Sequence, residues 1–228
     1  MKLDEVTPLL QPEPLALEMG SERLPNGVLH VAVRTDMHGC TGEMFEWWFR
    51  FRPDTQQYIW WHPIDHVSSD WKEASHGTHV GSIHMVEEFF TGMPAAKLAI
   101  QFRDPTEFFD ARAYALARES RHVSAAVCGR VGCSHQPERA ADGAILGGRL
   151  LHIGRDTQWG MALRSHFYMG QDLPDAGYSP KQIGELFPEA FGHALLMHCY
   201  NEFTFLSRLL PSLFTAENRV TQAPVAPW

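Results

Sequence analysis

Residues 195–210 read LLMHCYNEFTFLSRLL, and the fold turns on how this stretch is understood. Ten of the sixteen positions are apolar, yet His198 and Glu202 stand four residues apart within it. In an α-helix that spacing stacks the two side chains on one face, on the stripe that also carries Leu195, Leu206 and Leu209. The apolar stripe of such a helix is the face that points into the protein. A buried carboxylate is costly unless it is paired, hydrogen-bonded or bound to a metal. The helix must therefore face something that compensates Glu202.

Outward from this stretch, the helix is predicted from Glu189 to about Leu210 and is expected to end at Pro211, after a long connection from Pro174 to Pro188. Upstream, GVLHVAVRT (27–35) alternates as a strand does, and Thr41 is placed to cap a short aromatic helix over Glu43 to Phe51. QYIWWHP reads as β-like up to Pro63, and IDHVSSDW as a turn-rich loop. HVGSIHMVEEFF, AKLAIQFRD, HVSAAVCGRV, AILGGRLLHIGR and TQWGMALRSHFYMG read as successive strands punctuated by Gly, Pro or Asp. Residues 1–27 read as an N-terminal arm, 28–215 as a single domain and 216–228 as a tail. Several strands followed by one long amphipathic helix imply an α+β fold, with an antiparallel sheet curled around the helix. A cavity is then expected between the two, and the polar pair of the helix faces it.

At 228 residues and 44% hydrophobic content, the chain suits one domain with a substantial core. The net charge of -8 and the lack of a Lys/Arg cluster make nucleic acid and anionic membrane poor partners. No run is apolar enough to span a bilayer and the N-terminus has no signal-peptide core, so the expectation is a soluble cytoplasmic protein. Cys128 and Cys133 are spaced too widely for a C-x-x-C motif. The 13 histidines raise the prior for metal chemistry without locating it.

Three stretches carry candidate chemistry. His198 and Glu202 offer an imidazole nitrogen and a carboxylate oxygen, both suited to Zn²⁺; the alternative is a buried hydrogen-bonded pair. YIWWHPIDH supplies Tyr58, His62, Asp65 and His66 at what would be the mouth of the cavity, although loop histidines are often surface residues. In HVGSIHMVEEFF, His84, Val86 and Glu88 point one way and Ile83, Met85 and Glu87 the other, so one glutamate faces inward; alternation alone does not choose between them. No nucleophile elbow, P-loop, dinucleotide fingerprint or H-E-x-x-H motif is present.

Five ordered blocks, GCTGEMFEWWFRF, YIWWHPIDHVSS, HMVEEF, RSHFYMG and LLMHCYNEF, resemble those of the 2,4-diacetylphloroglucinol hydrolase and phloretin hydrolase family, from about Met37 to Leu210. The resemblance implies a Bet v 1-like helix-grip fold and a zinc-dependent hydrolase of carbon–carbon bonds. By position it implies zinc ligands at His66, Glu88, His198 and Glu202, and a substrate-contacting tyrosine at Tyr58. A second family tyrosine falls at Phe167 or Tyr168, and a family asparagine aligns with Ser69. The expected reaction is cleavage between an acyl group and a phenolic ring or similar ketonic carbon, releasing a carboxylic acid. The expected partner is a small aromatic ketone or acylphenol, with a homodimer left open. The rival readings are a helix-grip binding protein for an apolar aromatic ligand, or a metal-free cyclase for a polyketide.

Overall fold

The computed structural model describes residues 1–218. Its strands are β1 (Gly20–Arg23), β2 (Leu29–His38), β3 (His66–Lys72), β4 (Ile83–Glu88), β5 (Ala96–Arg103), β6 (Ala125–Gly132), β7 (Gly148–Thr157) and β8 (Gly160–Met169). They pair antiparallel throughout, in the order β1-β2-β8-β7-β6-β5-β4-β3. The helices are α1 (Gly42–Phe51), α2 (Thr55–Trp61), α3 (Ala111–Glu119), α4 (Pro180–Leu186) and α5 (Glu189–Glu217). The sheet curves around α5, whose inward stripe of Leu195, His198, Glu202, Leu206 and Leu210 is buried. This is the α+β helix-grip arrangement.

The inner layer is aromatic: Phe45, Trp48, Phe102 and Phe203 are fully buried between sheet, α1 and α5. Each contributes roughly 1.5–3 kcal/mol by leaving water. α1 begins where the sequence predicts, with the Thr41 hydroxyl accepting from the Met44 amide at 3.3 Å.

Several elements differ from the sequence reading. QYIWWHP is not β-like. Its aromatic residues belong to α2, nucleated by a capping box in which Asp54 and Gln57 satisfy each other's backbone amides, and only Tyr58 and Trp61 turn inward. IDHVSSDW is not a loop beyond Asp65 but the edge strand β3. The connection from Pro174 to Pro188 contains α4, started by Ser179 with Pro180 in its first turn. α3 has no counterpart in the sequence reading; its apolar stripe is narrow, and of its residues only Ala117 is fully buried.

α5 also runs straight through Pro211 to Glu217 instead of stopping there. Proline removes the bond that its N–H would have made to the Ser207 carbonyl. That carbonyl instead accepts from the Cys40 thiol, at 3.6 Å. Beyond the proline, Phe214 packs edge-on against Trp47, and the tertiary contact keeps the last turns helical. Of the expected tail, residues 219–228 lie outside the described residues.

The segment read as an arm is ordered and integral. It supplies β1, and its Val6, Leu9 and Leu10 cover the outer face of the sheet together with α3. Arg164, on the outer face of β8, clasps it: the guanidinium donates to the Gln11 and Glu13 carbonyls at 2.6 and 2.7 Å and pairs with Glu18 at 2.6 Å. Burial raises the Glu18 carboxyl, but Arg164 outweighs it and holds the group below its ordinary value. Arg164→Ala leaves two carbonyls without their donor and should cost about 2–3 kcal/mol. Thermal unfolding and limited proteolysis within residues 1–19 check this; an unchanged melting point and cleavage pattern would count against the clasp.

Candidate metal centre

Three elements deliver the candidate residues. The register of β3 and β4 places His66 directly opposite Glu88, a cross-strand pair whose side chains stand close on one face. A bulge between His66 and Ser68 resets the alternation, so that the histidine at the very start of an edge strand still faces inward. α5 supplies His198 and Glu202 one turn apart. His66, Glu88, His198 and Glu202 are all at least nine-tenths buried.

Their ligand atoms converge. His66 Nε2 lies 3.6 Å from Glu202 Oε2 and 3.9 Å from Glu88 Oε2, and His198 Nε2 lies 3.7 Å from Glu88 Oε2. His66, His198 and Glu202 form a group able to hold a metal ion. Two ligands of one tetrahedral, zinc-sized cation stand roughly 3.3 Å apart at bond lengths near 2.0–2.1 Å. The separations here, 3.6–3.9 Å, are slightly wider.

The partners behind the ligands fix which nitrogens face the centre. The Tyr58 carbonyl accepts from His66 Nδ1 at 2.9 Å, leaving Nε2 with its lone pair, buried and without a hydrogen-bond partner. Asp65 Oδ2 accepts from His198 Nδ1 at 3.1 Å, which aims His198 Nε2 at Glu88. An orphaned buried nitrogen beside two carboxylates is what a divalent cation would complete, and the residues present fit one.

The electrostatics agree. Burial opposes charge on His198, yet Glu88, Asp65 and Glu202 outweigh it and push the ring up to about 9. Burial, with Glu88 and Asp65 adding to it, pushes Glu202 up to about 8 despite the opposing His198. Burial, with His198 adding, holds His66 well below its ordinary value, so the ring is neutral and able to ligate. The protons held by Glu202 and His198 do the neutralising that a bound cation would otherwise do.

Tyr58 closes the arrangement. Its ring stacks on His66 at 3.7 Å between centroids, and its hydroxyl donates to Glu88 Oε2 at 2.6 Å. Burial first, and then the Glu88 carboxylate, raise the phenol well above its ordinary value, so it stays a donor. His62 lies behind the centre, stacked on His198 at 5.2 Å. Its Nδ1 accepts from the Asp65 amide, and its Nε2 lies 3.6 Å from Asp65 Oδ2. His62, Asp65 and His198 form a second group within metal-binding reach, on the other side of the His198 ring. There His198 already spends Nδ1 on Asp65, and the group reads as a support for the first.

The centre opens into a cavity of about 280 Å³ between sheet and helix. Tyr58, Trp61, His84, Glu88, His198 and Glu202 form one end of its wall, and Phe167 lines it further along. Two other expected contacts lie elsewhere. Tyr168 is on the outer face of β8, stacked on His30 beneath the N-terminal segment, because successive strand residues point to opposite faces. Of the pair 167/168, only Phe167 reaches the cavity. The Ser69 hydroxyl donates to the Pro53 carbonyl at 2.9 Å and accepts from His84 Nε2 at 2.8 Å, so Ser69 sits behind His84 and not on the cavity wall. Of the tryptophans in the aromatic blocks, Trp61 alone lines the cavity, while Trp60 is 50% exposed.

Asp65, His84 and His152 are site residues that the sequence reading did not assign. His84 shares the strand face of Glu88, and His152 that of Leu150, so alternation carried a signal for both. Asp65 adjoins His66 in sequence, but its role as acceptor for His198 depends on a contact 133 residues away.

The profile of the DAPG hydrolase PhiG domain matches residues 1–215. A 2,4-diacetylphloroglucinol hydrolase of Pseudomonas sp is 24% identical over 232 residues, covering 93% of this chain and 76% of that protein. The phloretin hydrolase of Eubacterium ramulus is 24% identical over 206 residues, covering 84% of this chain and 69% of its own. Among solved structures, Ara h 8.0201 superposes with a TM-score of 0.48 at 9% identity, covering 82% of this chain and 99% of that one.

Proposed function

The chain belongs to the DAPG hydrolase PhiG domain family, and from that premise we propose that it is a zinc-dependent hydrolase of the carbon–carbon bond between an acyl group and a phenolic ring or similar ketonic carbon. The observation that carries this reading is the convergence of His66, Glu88, His198 and Glu202 at one end of a largely apolar cavity. A helix-grip protein that only binds an apolar ligand, or a cyclase without metal, has no use for four such ligands.

His66, Glu88, His198 and Glu202 would hold the ion, which supplies a Lewis acid for the acyl carbonyl and a lowered pKa for water. The overall chemistry adds water across the bond. The acyl carbon gains hydroxyl and leaves as a carboxylic acid; the ring carbon takes the bonding pair as an enolate and then a proton. Cleavage demands that the leaving carbon bear negative charge, which a ring flanked by hydroxyl groups does in its keto form. Tyr58 stands between Glu88 and the cavity, with its hydroxyl hydrogen held on Glu88 Oε2. With that hydrogen on Glu88, its oxygen is placed to accept from a ring hydroxyl, and the pair to pass a proton between substrate and carboxylate. His84 keeps its Nε2 proton on Ser69, and burial pulls its ring down to about 3, so it borders the substrate as a neutral, fixed group. The aromatic wall of Trp61, Phe49 and Phe102 excludes bulk water from this end.

The test is acid release from acylphloroglucinols, dihydrochalcones and simple β-diketones, with ordinary esters as the control. Ketone cleavage with one zinc per chain is the expected result; rapid ester turnover with no ketone cleaved would show the reaction to be misassigned. Tyr58→Phe is expected to lower kcat by about 10²–10⁴-fold while zinc content stays at that of the wild type. Full activity in this variant would remove the hydroxyl from the mechanism.

A further inference from the structure

The cavity is polar at one end only. Beyond the metal end it continues along α5 past Leu195 to Phe191 and Phe187. From His198 to Phe191 the helix advances seven residues, roughly 10 Å at 1.5 Å per residue. The facing wall comes from Leu98, Val131, Leu150 and Met169. Among the described residues that line this arm, only His152 and Cys133 carry a polar side chain. His152 already commits Nδ1 to Ser165 at 2.8 Å, and burial pulls its ring down to about 3. The arm reaches the surface at α4, where Leu186 borders it and is itself 55% exposed.

We infer that this arm receives an extended, unhydroxylated acyl chain, so that the substrate class is a phenol or β-diketone acylated by a medium-length alkyl group. The inference rests on the carbon–carbon hydrolysis proposed above and names the substrate half that the arm selects. The enolising half carries hydroxyl groups that need hydrogen-bond partners once buried, and the acceptors for them, the Tyr58 oxygen and the carboxylates of Glu88 and Glu202, stand at the metal end. The acyl carbonyl must reach the same end to be attacked. The rest of the acyl group is then directed down the arm, where a hydroxyl would lose water and find almost no replacement partner. A chain running from the metal end to the rim at Leu186 also explains why exposed leucine borders the opening: the distal methylenes cover it.

The experiment uses the zinc-loaded full chain and one dihydroxyphenyl ring acylated with acetyl, hexanoyl, octanoyl or 4-hydroxyoctanoyl. Each fully buried methylene tightens binding by up to about fourfold. KM should therefore fall at least about tenfold from acetyl to octanoyl, and the mid-chain hydroxyl should forfeit roughly tenfold of the gain. Calorimetric binding of the matching alkyl phenyl ketones, which lack the ring hydroxyls that let the leaving carbon hold charge, reads the arm without turnover. Leu98→Trp, which fills the arm, should reduce the octanoyl-over-acetyl preference. If acetyl and octanoyl ketones bind alike, or if the hydroxyl costs nothing, the arm is misassigned even though the ketones are cleaved. If binding tightens with chain length but no ketone yields acid, the arm stands and the proposed reaction falls.

Discussion

Glu202→Ala is expected to abolish ketone hydrolysis and to weaken zinc binding by more than the roughly 10–100-fold that loss of an outer-shell partner costs. Glu202 is buried on α5, with Oε2 3.6 Å from the unpartnered His66 Nε2, nearer than the 3.9 Å of Glu88 Oε2. Its removal takes away both a donor atom and a negative charge. The metal-free protein should respond in the opposite direction. A carboxyl group that burial and neighbouring acids push up to about 8 is a liability without a cation, and its deletion should leave the melting point of the stripped protein equal or higher. The two measurements separate a lost ligand from a lost fold. Competition with a chromophoric chelator, read beside thermal unfolding, makes the comparison. A variant that keeps stoichiometric zinc and turns substrate over would remove Glu202 from the centre.

His66→Ala is expected to release the metal, whereas His62→Ala should retain it with a modest loss of affinity. The two rings lie four residues apart around Pro63, but the fold treats them differently. His66 faces Glu88 and Glu202, and its Nδ1 is held by the Tyr58 carbonyl; His62 stacks behind His198 and touches neither glutamate. Elemental analysis of both variants, purified without an immobilised-metal column, distinguishes them. Retention of zinc in His66→Ala together with its loss in His62→Ala would transfer the centre to the His62, Asp65 and His198 group. The pH dependence follows from the same residues. His198 and Glu202 are raised to about 9 and about 8 in the metal-free protein, so a cation must displace protons from both near neutral pH. Affinity should rise from pH 6 to pH 9 and level off above the higher value, with proton release visible as a buffer-dependent heat of binding.

Local chemistry left several elements in plain view in the chain. The i, i+4 pair His198 and Glu202 on an apolar stripe announced both the long helix and the need to compensate a buried charge. Thr41 announced the start of α1, and alternating runs announced most of the sheet. Alternation on β4 also reduced the glutamates to a choice between two faces. The misreadings share a cause. α2 is built from Tyr, Ile and Trp, residues that favour strands, and the capping box of Asp54 and Gln57 outweighs that propensity. Pro211 ends most helices, but the Cys40 thiol and the Trp47 ring supply what the proline removes. Both compensations come from elsewhere in the fold.

What the sequence determined by itself is a set of candidate donors and the helix that carries His198 and Glu202, because helical periodicity fixes which side chains share a face. Only the tertiary structure decided which donors meet. The β3 bulge turns His66 inward opposite Glu88, and Asp65 reaches His198 across 133 residues. The β8 pleat sends Tyr168 to the outer face and Phe167 into the cavity. Register and strand facing change with a one-residue slip, and it is long-range pairing and burial, not local composition, that set them.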